Sequence, residues 1–131
     1  MKAINCSGKR KRAVARVTLK QGSGKIKVNN VSIELIQPEI SRMKIMEPLI
    51  LAGDTASKVD INVNVNGGGI TSQAEAARLA IGRALVQFNK LLEKDFLDYD
   101  RQLLVADIRR KETRKPNRHG KARAKVQKSY R

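Results

Sequence analysis

The sequence has 131 residues, the length of one ordinary domain, and 40% of them are apolar, which suffices for a modest and largely aliphatic core. Its 28 Lys and Arg against 12 Asp and Glu give a net charge of +16. One Cys and one His cannot form an internal disulfide or a zinc site, and no apolar run approaches the ~18–20 residues that span a bilayer, so we expect no metal and no membrane segment.

The excess positive charge lies at the two ends of the chain. Residues 1–30 carry nine basic and no acidic side chains, residues 31–108 carry eight basic and eleven acidic ones, and residues 109–131 carry eleven basic and one acidic. Self-repulsion within such ends opposes compactness, whereas the phosphates of a nucleic acid would offset it. A cationic membrane-surface segment needs an apolar helical face, which the last 23 residues lack.

Alternating apolar and polar residues predict strands in the first third of the chain. Residues 13–20 have the pattern of a half-buried strand, residues 21–24 that of a turn, and residues 25–28 that of the return strand of a hairpin. The basic residues of this hairpin largely share its solvent face. Residues 2–6 are predicted to add a short first strand.

Four consecutive basic residues, Lys9 to Arg12, directly precede the strand at 13–20, which itself carries Arg16. A cluster of this kind fits a nuclear import signal, a flexible arm or an RNA contact. Its position beside a strand with further basic residues favours the RNA contact.

The middle of the chain predicts a helix followed by a strand. Pro38 fits the first turn of a helix whose apolar stripe runs towards Gly53. Pro48 lies inside that stripe and is expected to kink the helix or split it in two. Residues 59–66 alternate strictly and form the clearest strand of the sequence.

Three glycines, Gly67 to Gly69, separate this strand from a second helix. Ser72 and Glu75 have the spacing of a capping box at its start. The P-loop Lys is missing, and the third glycine of a dinucleotide fingerprint is replaced by Ser72, so we expect no nucleotide cofactor. The glycines fit two roles equally well: a tight turn with positive φ, or a close approach of an RNA backbone.

The remaining pattern completes an α+β fold. The second helix has an apolar stripe rich in Ala, residues 91–102 form a short helix or turn, and residues 104–108 alternate as a last strand. The order of elements predicts a mixed sheet with helices on one face. We therefore expect a globular body over residues 1–108 and a long, extended, basic tail over residues 109–131.

Catalysis has little support in the sequence. The only histidine, His119, lies in the tail, and no spacing identifies a Ser-His-acid set or a carboxylate pair. We therefore expect no enzyme; an enzyme of RNA metabolism would need a charged site in the body. The alternative is a free-standing, chromatin-like DNA-binding protein, but the main helix offers only Arg78, Arg83 and Lys90 as recognition residues.

Four segments of the chain resemble the family of protein nine of the small ribosomal subunit. They are the glycine turn with its helix at 67–85, the basic start at 8–15, the run at 103–107 and the ending at 127–131. The Ser-Tyr-Arg ending is similar to the archaeal and eukaryotic branch of the family. The resemblance implies a roughly four-stranded sheet with a left-handed βαβ crossover, and a place in the head of the small subunit.

The family resemblance also implies partners: ribosomal RNA, neighbouring head proteins and the transfer RNA in the peptidyl site, with no homo-oligomer and a cytoplasmic location on the ribosome. By that resemblance the transfer RNA contacts are Lys128, Ser129, Tyr130 and Arg131. Together with the basic pattern, it predicts these ribosomal RNA contacts: Lys9, Arg10, Lys11, Arg12, Arg16, Gly67, Gly68, Gly69, Arg109, Arg110, Lys111, Arg114, Lys115, Arg118, His119, Lys121, Arg123 and Lys125.

Overall fold

The structure is a computed structural model that describes residues 2–123, in which three α-helices pack on one side of a five-stranded sheet. The strands are β1 (Ile4–Arg10), β2 (Ala13–Gln21), β3 (Ile26–Val28), β4 (Val31–Ser32) and β5 (Val59–Asn66). The helices are α1 (Glu39–Ala52), α2 (Ile70–Phe88) and α3 (Leu92–Tyr99). Among residues 2–123, no helix is long and apolar enough to cross a membrane. The predicted α+β class with a mixed sheet is confirmed.

β5 lies at the centre of the sheet, although β2 and β3 were predicted to pair as a hairpin. The strand order is β1-β2-β5-β3-β4, with β5 antiparallel to β2 and parallel to β3. Val63 of β5 therefore lies opposite Val17 on one side and Val28 on the other. The hairpin prediction is wrong in its pairing, and β3, α1 and β5 instead form the parallel crossover. The left-handed sense of that crossover stays a prediction.

The loop between β2 and β3 is built around Asp60, near the start of β5. Oδ1 of Asp60 accepts hydrogen bonds from the backbone N–H groups of Ser23, Gly24 and Lys25 at 2.9, 3.1 and 3.0 Å. A Cβ at Gly22 would lie only 2.2 Å from the Asp60 carboxyl group. The loop thus closes over β5, and β3 pairs on its far side, which is why β2 and β3 do not meet.

These hydrogen bonds make the stability of the fold depend on pH. The N–H groups, that of Lys25 first, hold the pKa of Asp60 below its ordinary value of 3.8. A carboxyl group with a lowered folded-state pKa stabilises the fold above its unfolded-state pKa, and this contribution is lost as pH falls through the folded-state value. We expect Asp60→Asn to be less stable than the parent at neutral pH and to approach it below pH 3.8, as measured by urea unfolding. Asp95→Asn on α3 serves as the control, and a stability difference that stays constant with pH would contradict the assignment.

α2 lies close to the sheet because small residues meet at the contact. Ala76 and Ala80 are fully buried, and β1 brings Gly8 against them. A Cβ at Gly8 would lie 2.5 Å from the Ala76 carbonyl oxygen and 2.8 Å from the Ala80 nitrogen. The chain crosses α2 again at Gly82, where a Cβ would lie 2.6 Å from the Leu103 carbonyl oxygen. The Ala-rich stripe predicted for this helix is confirmed, and it sets how closely the layers pack.

Two later predictions are confirmed and one is wrong. β5 matches the predicted strand at 59–66, and α3 with the 3₁₀ turn at Arg101–Leu103 occupies the predicted 91–102. The predicted strand at 104–108 is wrong, because the described chain has no strand there. The Leu104 carbonyl oxygen instead accepts a hydrogen bond from Arg83 Nε at 3.1 Å, so a side chain takes the place of a neighbouring strand.

Pro48 lies inside α1, which continues from Glu39 to Ala52. The predicted helix is present, but it begins at Glu39 with Pro38 as its N-cap instead of in its first turn, and the split at Pro48 is not observed. Proline lacks the N–H that would bond to the previous turn, which disfavours the helix locally. Pro48 is buried together with Ile45 and Leu49, so tertiary packing of this face compensates for the missing bond.

Candidate nucleic-acid interface

The face of the sheet opposite the helices is polar. In β2 and β5 the helix-facing residues are buried, and the residues between them point the other way. Arg16 lies opposite both Ser7 and Asn64, and Lys27 lies opposite Asn62. We call this surface the open sheet face. Its residues are Asn5, Ser7, Lys9, Val14, Arg16, Thr18, Lys20, Lys27, Asp60, Asn62, Asn64 and Asn66.

Four cations lie exposed on the open sheet face, and only two of them were singled out from the sequence. Lys9 and Arg16 were predicted as RNA contacts, whereas Lys20 and Lys27 were not. Within the described residues, none of the four forms an ion pair with a carboxylate. Asp60 is the one carboxylate on this face, and its Oδ1 is already occupied by backbone N–H groups. The alternating pattern did signal the polar face, but only strand order joins the two strands into one surface.

The turn between β1 and β2 presents two further cations, Lys11 and Arg12, both exposed. The first strand predicted at residues 2–6 is confirmed, but β1 continues to Arg10. The basic cluster is therefore the end of a strand and a tight turn in which Lys11 has φ +54°. The turn between β1 and β2 therefore has a defined position beside the glycine turn at residues 67–69.

The glycine turn packs directly on the turn between β1 and β2. Gly67 and Gly68 have φ +76° and +64°, a region that side chains disfavour. A Cβ at Gly67 would lie 2.6 Å from the Arg12 carbonyl oxygen, and one at Gly68 would lie 3.0 Å from the Ala13 nitrogen. Positive φ and close chain packing therefore account for both glycines without any ligand.

Gly69 differs from its two neighbours. It has φ −103°, and a Cβ there would meet nothing within 4 Å. It is exposed at the start of α2, with no side chain capping the helix. The fold thus explains two of the three glycines, and a close approach of an RNA backbone remains a reason for the third.

Arg10 is not presented to solvent with its neighbours. Its Nε donates to Glu75 Oε2 at 2.7 Å, and its Nη1 lies 3.1 Å from Asp107 Oδ2. Glu75 also accepts from Lys44 Nζ at 3.1 Å. The capping-box prediction is therefore wrong: α2 begins at Ile70 after Gly69, two residues before Ser72, and Glu75 binds two cations instead. Burial opposes ionisation, but hydrogen bonds from both cations hold the pKa of Glu75 below its ordinary value.

A groove beside these residues is lined by five cations and four carboxylates. It joins β1, α1, α2 and the segment after α3. Its charged lining residues are Lys9, Arg10, Lys44, Glu47, Glu75, Arg78, Asp100, Asp107 and Arg109. Arg78 binds Glu47 at 2.6 Å and Asp100 at 2.9 Å. Most charged groups of the groove therefore pair with one another, whereas the cations of the open sheet face have no carboxylate partner within the described part of the chain.

The basic residues of the tail that the structure describes are exposed, from Arg109 to Arg123. Within this stretch the Lys115 N–H donates to the Lys121 carbonyl oxygen at 2.8 Å, and Arg123 forms an ion pair with Glu112. The chain therefore makes a turn that presents these basic residues outward: Arg114, Lys115, Arg118, His119 and Lys121. The predicted contacts at Lys125, Lys128, Ser129, Tyr130 and Arg131 lie outside the described residues.

This arrangement suits phosphate binding. Exposed Lys and Arg without carboxylate partners bind phosphates and release counterions. Asparagine amides, as at Asn62 and Asn64, donate to and accept from sugar and phosphate oxygens. No group of three or more potential metal ligands occurs among residues 2–123.

Comparison with known proteins identifies close relatives along the whole chain. Residues 8–131 match the model of the family described as ribosomal protein S9/S16. The small ribosomal subunit protein uS9 of Methanococcus maripaludis strain C7 is 51% identical over 134 residues, with 100% of both chains covered. The uS9 proteins of Methanothrix thermoacetophila and Methanococcus vannielii are 49% and 48% identical, again with 100% of both chains covered.

Proposed function

Because the chain belongs to the ribosomal protein S9/S16 family, and is thus a protein of the small ribosomal subunit, we propose that it binds ribosomal RNA in the subunit head and that its tail reaches the peptidyl-site transfer RNA. One observation carries the proposal: the exposed cations and the carboxylates are segregated. Cations without carboxylate partners lie on the open sheet face and the β1–β2 turn, while most of the carboxylates near them lie in the groove.

The open sheet face is the surface proposed to dock on folded RNA. Arg16, Lys20 and Lys27 would bind phosphates, and the amides of Asn62 and Asn64 would bind ribose and phosphate oxygens between them. The face carries no aromatic side chain on which a base could stack. Recognition there would depend on the shape of the RNA backbone more than on its base sequence.

The main helix supports this proposal over the DNA-binding alternative. Arg78 and Arg83, the basic residues singled out on α2, are both engaged within the protein: Arg78 binds two carboxylates, and Arg83 donates to the carbonyl oxygens of Leu104 and Ser7. A recognition helix needs such side chains free to reach base edges. α2 is therefore a packing element.

Gly69→Ala tests whether RNA approaches the glycine turn. We expect this variant to fold with a stability loss of about 0.5–1 kcal/mol, because Gly69 is the N-cap of α2 and glycine suits that position better than alanine, although a Cβ there meets nothing within 4 Å. Its affinity for small-subunit ribosomal RNA, measured by filter binding, should fall about 3–10-fold if phosphate lies against the turn. Ile70→Ala, exposed at the next position, is the control. An unchanged affinity of Gly69→Ala would remove the glycine turn from the interface.

Deletion of Arg131 tests the proposed transfer RNA contact. Loss of one charged hydrogen bond should weaken peptidyl-site transfer RNA binding to small subunits by about 1–3 kcal/mol. Tyr130 would act there by stacking or through its hydroxyl group. Binding of transfer RNA to subunits carrying the deletion should therefore decrease, and Lys90→Ala in the body should leave it unchanged.

Sedimentation tests the proposal as a whole. A tagged copy of the chain should travel with small subunits in a sucrose gradient of cell extract. In the proposed function it lies on the ribosome in the cytoplasm, contacts neighbouring head proteins and forms no homo-oligomers. A chain that sediments alone, or with DNA, would contradict the proposed function.

A further inference from the structure

Two arginines attach residues 104–107, the segment directly before the tail, to β1. Arg83 donates from Nη1 to the Ser7 carbonyl oxygen at 3.0 Å and from Nε to the Leu104 carbonyl oxygen at 3.1 Å. Further along, Arg10 at the end of β1 lies 3.1 Å from Asp107. The segment after the last 3₁₀ turn contains neither helix nor strand, yet side chains hold it to the sheet edge at two points.

Asp107 in turn holds the residues that follow it. Its Oδ1 accepts the backbone N–H of Arg109 at 2.9 Å, and its Oδ2 accepts from Arg109 Nη2 at 2.7 Å. The Asp107 carbonyl oxygen accepts from Arg110 Nη1 at 3.0 Å. The carboxylate is only 17% exposed. Hydrogen bonds from Arg109, together with the charge of Arg10, keep the pKa of Asp107 well below its usual range, so it stays ionised at neutral pH.

We infer that Arg10 and Asp107 form a clamp that fixes the direction in which residues 109 onward leave the body. Arg10, with its side chain 16% exposed, positions Asp107, and Asp107 positions Arg109. A carboxylate at the start of a cationic segment repels phosphate, so RNA binding alone gives no reason for it. Arg10 is then a positioning residue, and the RNA contacts of the basic cluster are Lys9, Lys11 and Arg12.

The clamp has a consequence for RNA binding, which rests on the proposed function. A segment that is already ordered loses less conformational entropy when it binds, so the entropic cost of binding is lower. The clamp also holds the first residues of the tail next to the β1–β2 turn, because Arg10 lies between Lys9 and Lys11 in the chain. The turn and the tail would then present one continuous cationic surface.

Backbone ¹⁵N relaxation of the full-length chain tests the clamp without RNA. In the parent, the amides of Arg109 and Arg110 should show order close to that of the body. In Asp107→Ala their heteronuclear NOE should fall well below the values of the body, while the amides of α2 and β2 keep theirs. Arg10 donates a hydrogen bond to Glu75, and its Nη1 faces Asp107 only as an ion pair at 3.1 Å. Arg10→Lys keeps the charge but cannot keep both contacts with a single ammonium group, so it should lose part of the order.

Asp98→Ala, exposed on α3, is the matched control because it removes the same charge. Electrostatics alone predicts that both Ala variants bind small-subunit ribosomal RNA slightly more tightly than the parent. The clamp predicts that Asp107→Ala binds about two- to tenfold more weakly, while Asp98→Ala does not. Should Asp107→Ala fold poorly, Asp107→Asn removes the charge and both ion pairs but keeps an Oδ1 acceptor for the Arg109 N–H, so a partial loss of order is expected there.

The outcomes separate the clamp from the proposed function. Unchanged order at Arg109 and Arg110 in Asp107→Ala would overturn the clamp, whatever the RNA affinity. Order lost in Asp107→Ala and kept in Asp98→Ala would support it. If the order behaves in this way but the parent chain does not bind ribosomal RNA, the clamp stands and the proposed function fails.

Discussion

Removal of residues 110–131 is expected to weaken the binding of small-subunit ribosomal RNA by about 100-fold or more at moderate salt, because the segment carries ten Lys and Arg and one Glu. Each phosphate that a cation neutralises contributes ~0.7–0.9 to the dependence of log affinity on log salt. If about half of these cations contact phosphates, the slope should flatten by ~3–5. Filter binding of the full-length and shortened chains over a salt series measures both quantities.

A matched pair of double variants separates position from charge in this experiment. Lys111→Ala with Lys115→Ala removes two tail cations, and Lys90→Ala with Lys94→Ala removes two exposed cations beside or on α3. The tail pair should flatten the salt slope by ~1.4–1.8, and the α3 pair should leave it nearly unchanged. Equal slopes for the shortened and full-length chains would rule out phosphate contacts by the tail.

Gly8→Val is expected to lower the free energy of unfolding by about 3 kcal/mol, at the upper end of what overpacking costs. The added Cβ would lie 2.5 Å from the Ala76 carbonyl oxygen, and two methyl groups would follow it into the contact between β1 and α2. The higher β-propensity of valine acts in the opposite direction and stabilises the strand, because valine suits a strand better than glycine. Urea unfolding of the purified chain measures the change.

Ser7→Val is the control for this substitution. It lies on the same strand but exposed on the open sheet face, so the same preference for valine acts there without the backbone contact. We expect its stability to lie within about 0.5 kcal/mol of the parent. Equal stability of the two variants would mean that the close approach of β1 to α2 does not limit the side chain at position 8.

The elements that were predicted correctly have periods strong enough to be recognised locally. The four buried residues of β5 alternate with Asp and Asn, and the stripe of α2 repeats at helical spacing, so each element appears in its own short window. The elements that were predicted wrongly depend on a partner distant in sequence. β3 pairs with β5, whose Asp60 holds the loop before β3, and the carbonyl oxygen of Leu104 bonds to Arg83.

The residues of the candidate interface also divide into those that local sequence identifies and those whose environment depends on distant residues. Lys9, Lys11 and Arg12 were identified from local charge density, and the structure keeps them exposed. Arg10 has the same chemistry and lies in the same cluster, but two carboxylates from distant parts of the chain reach it. Alternation in β1 places Arg10 on the helix side and Lys9 on the open sheet face, and this follows from the strand register.

By itself the sequence determined the class of fold, the family and the segregation of charge towards the two ends, because local periodicity, motif spacing and net charge do not depend on which elements meet. The tertiary structure alone decided which cations remain available for a partner. An ion pair depends on distances of a few ångströms between residues far apart in the chain. The packing of α2 and of the segment after α3 against β1 brings Glu75 and Asp107 to Arg10, while the strand order leaves Arg16, Lys20 and Lys27 together on the open sheet face.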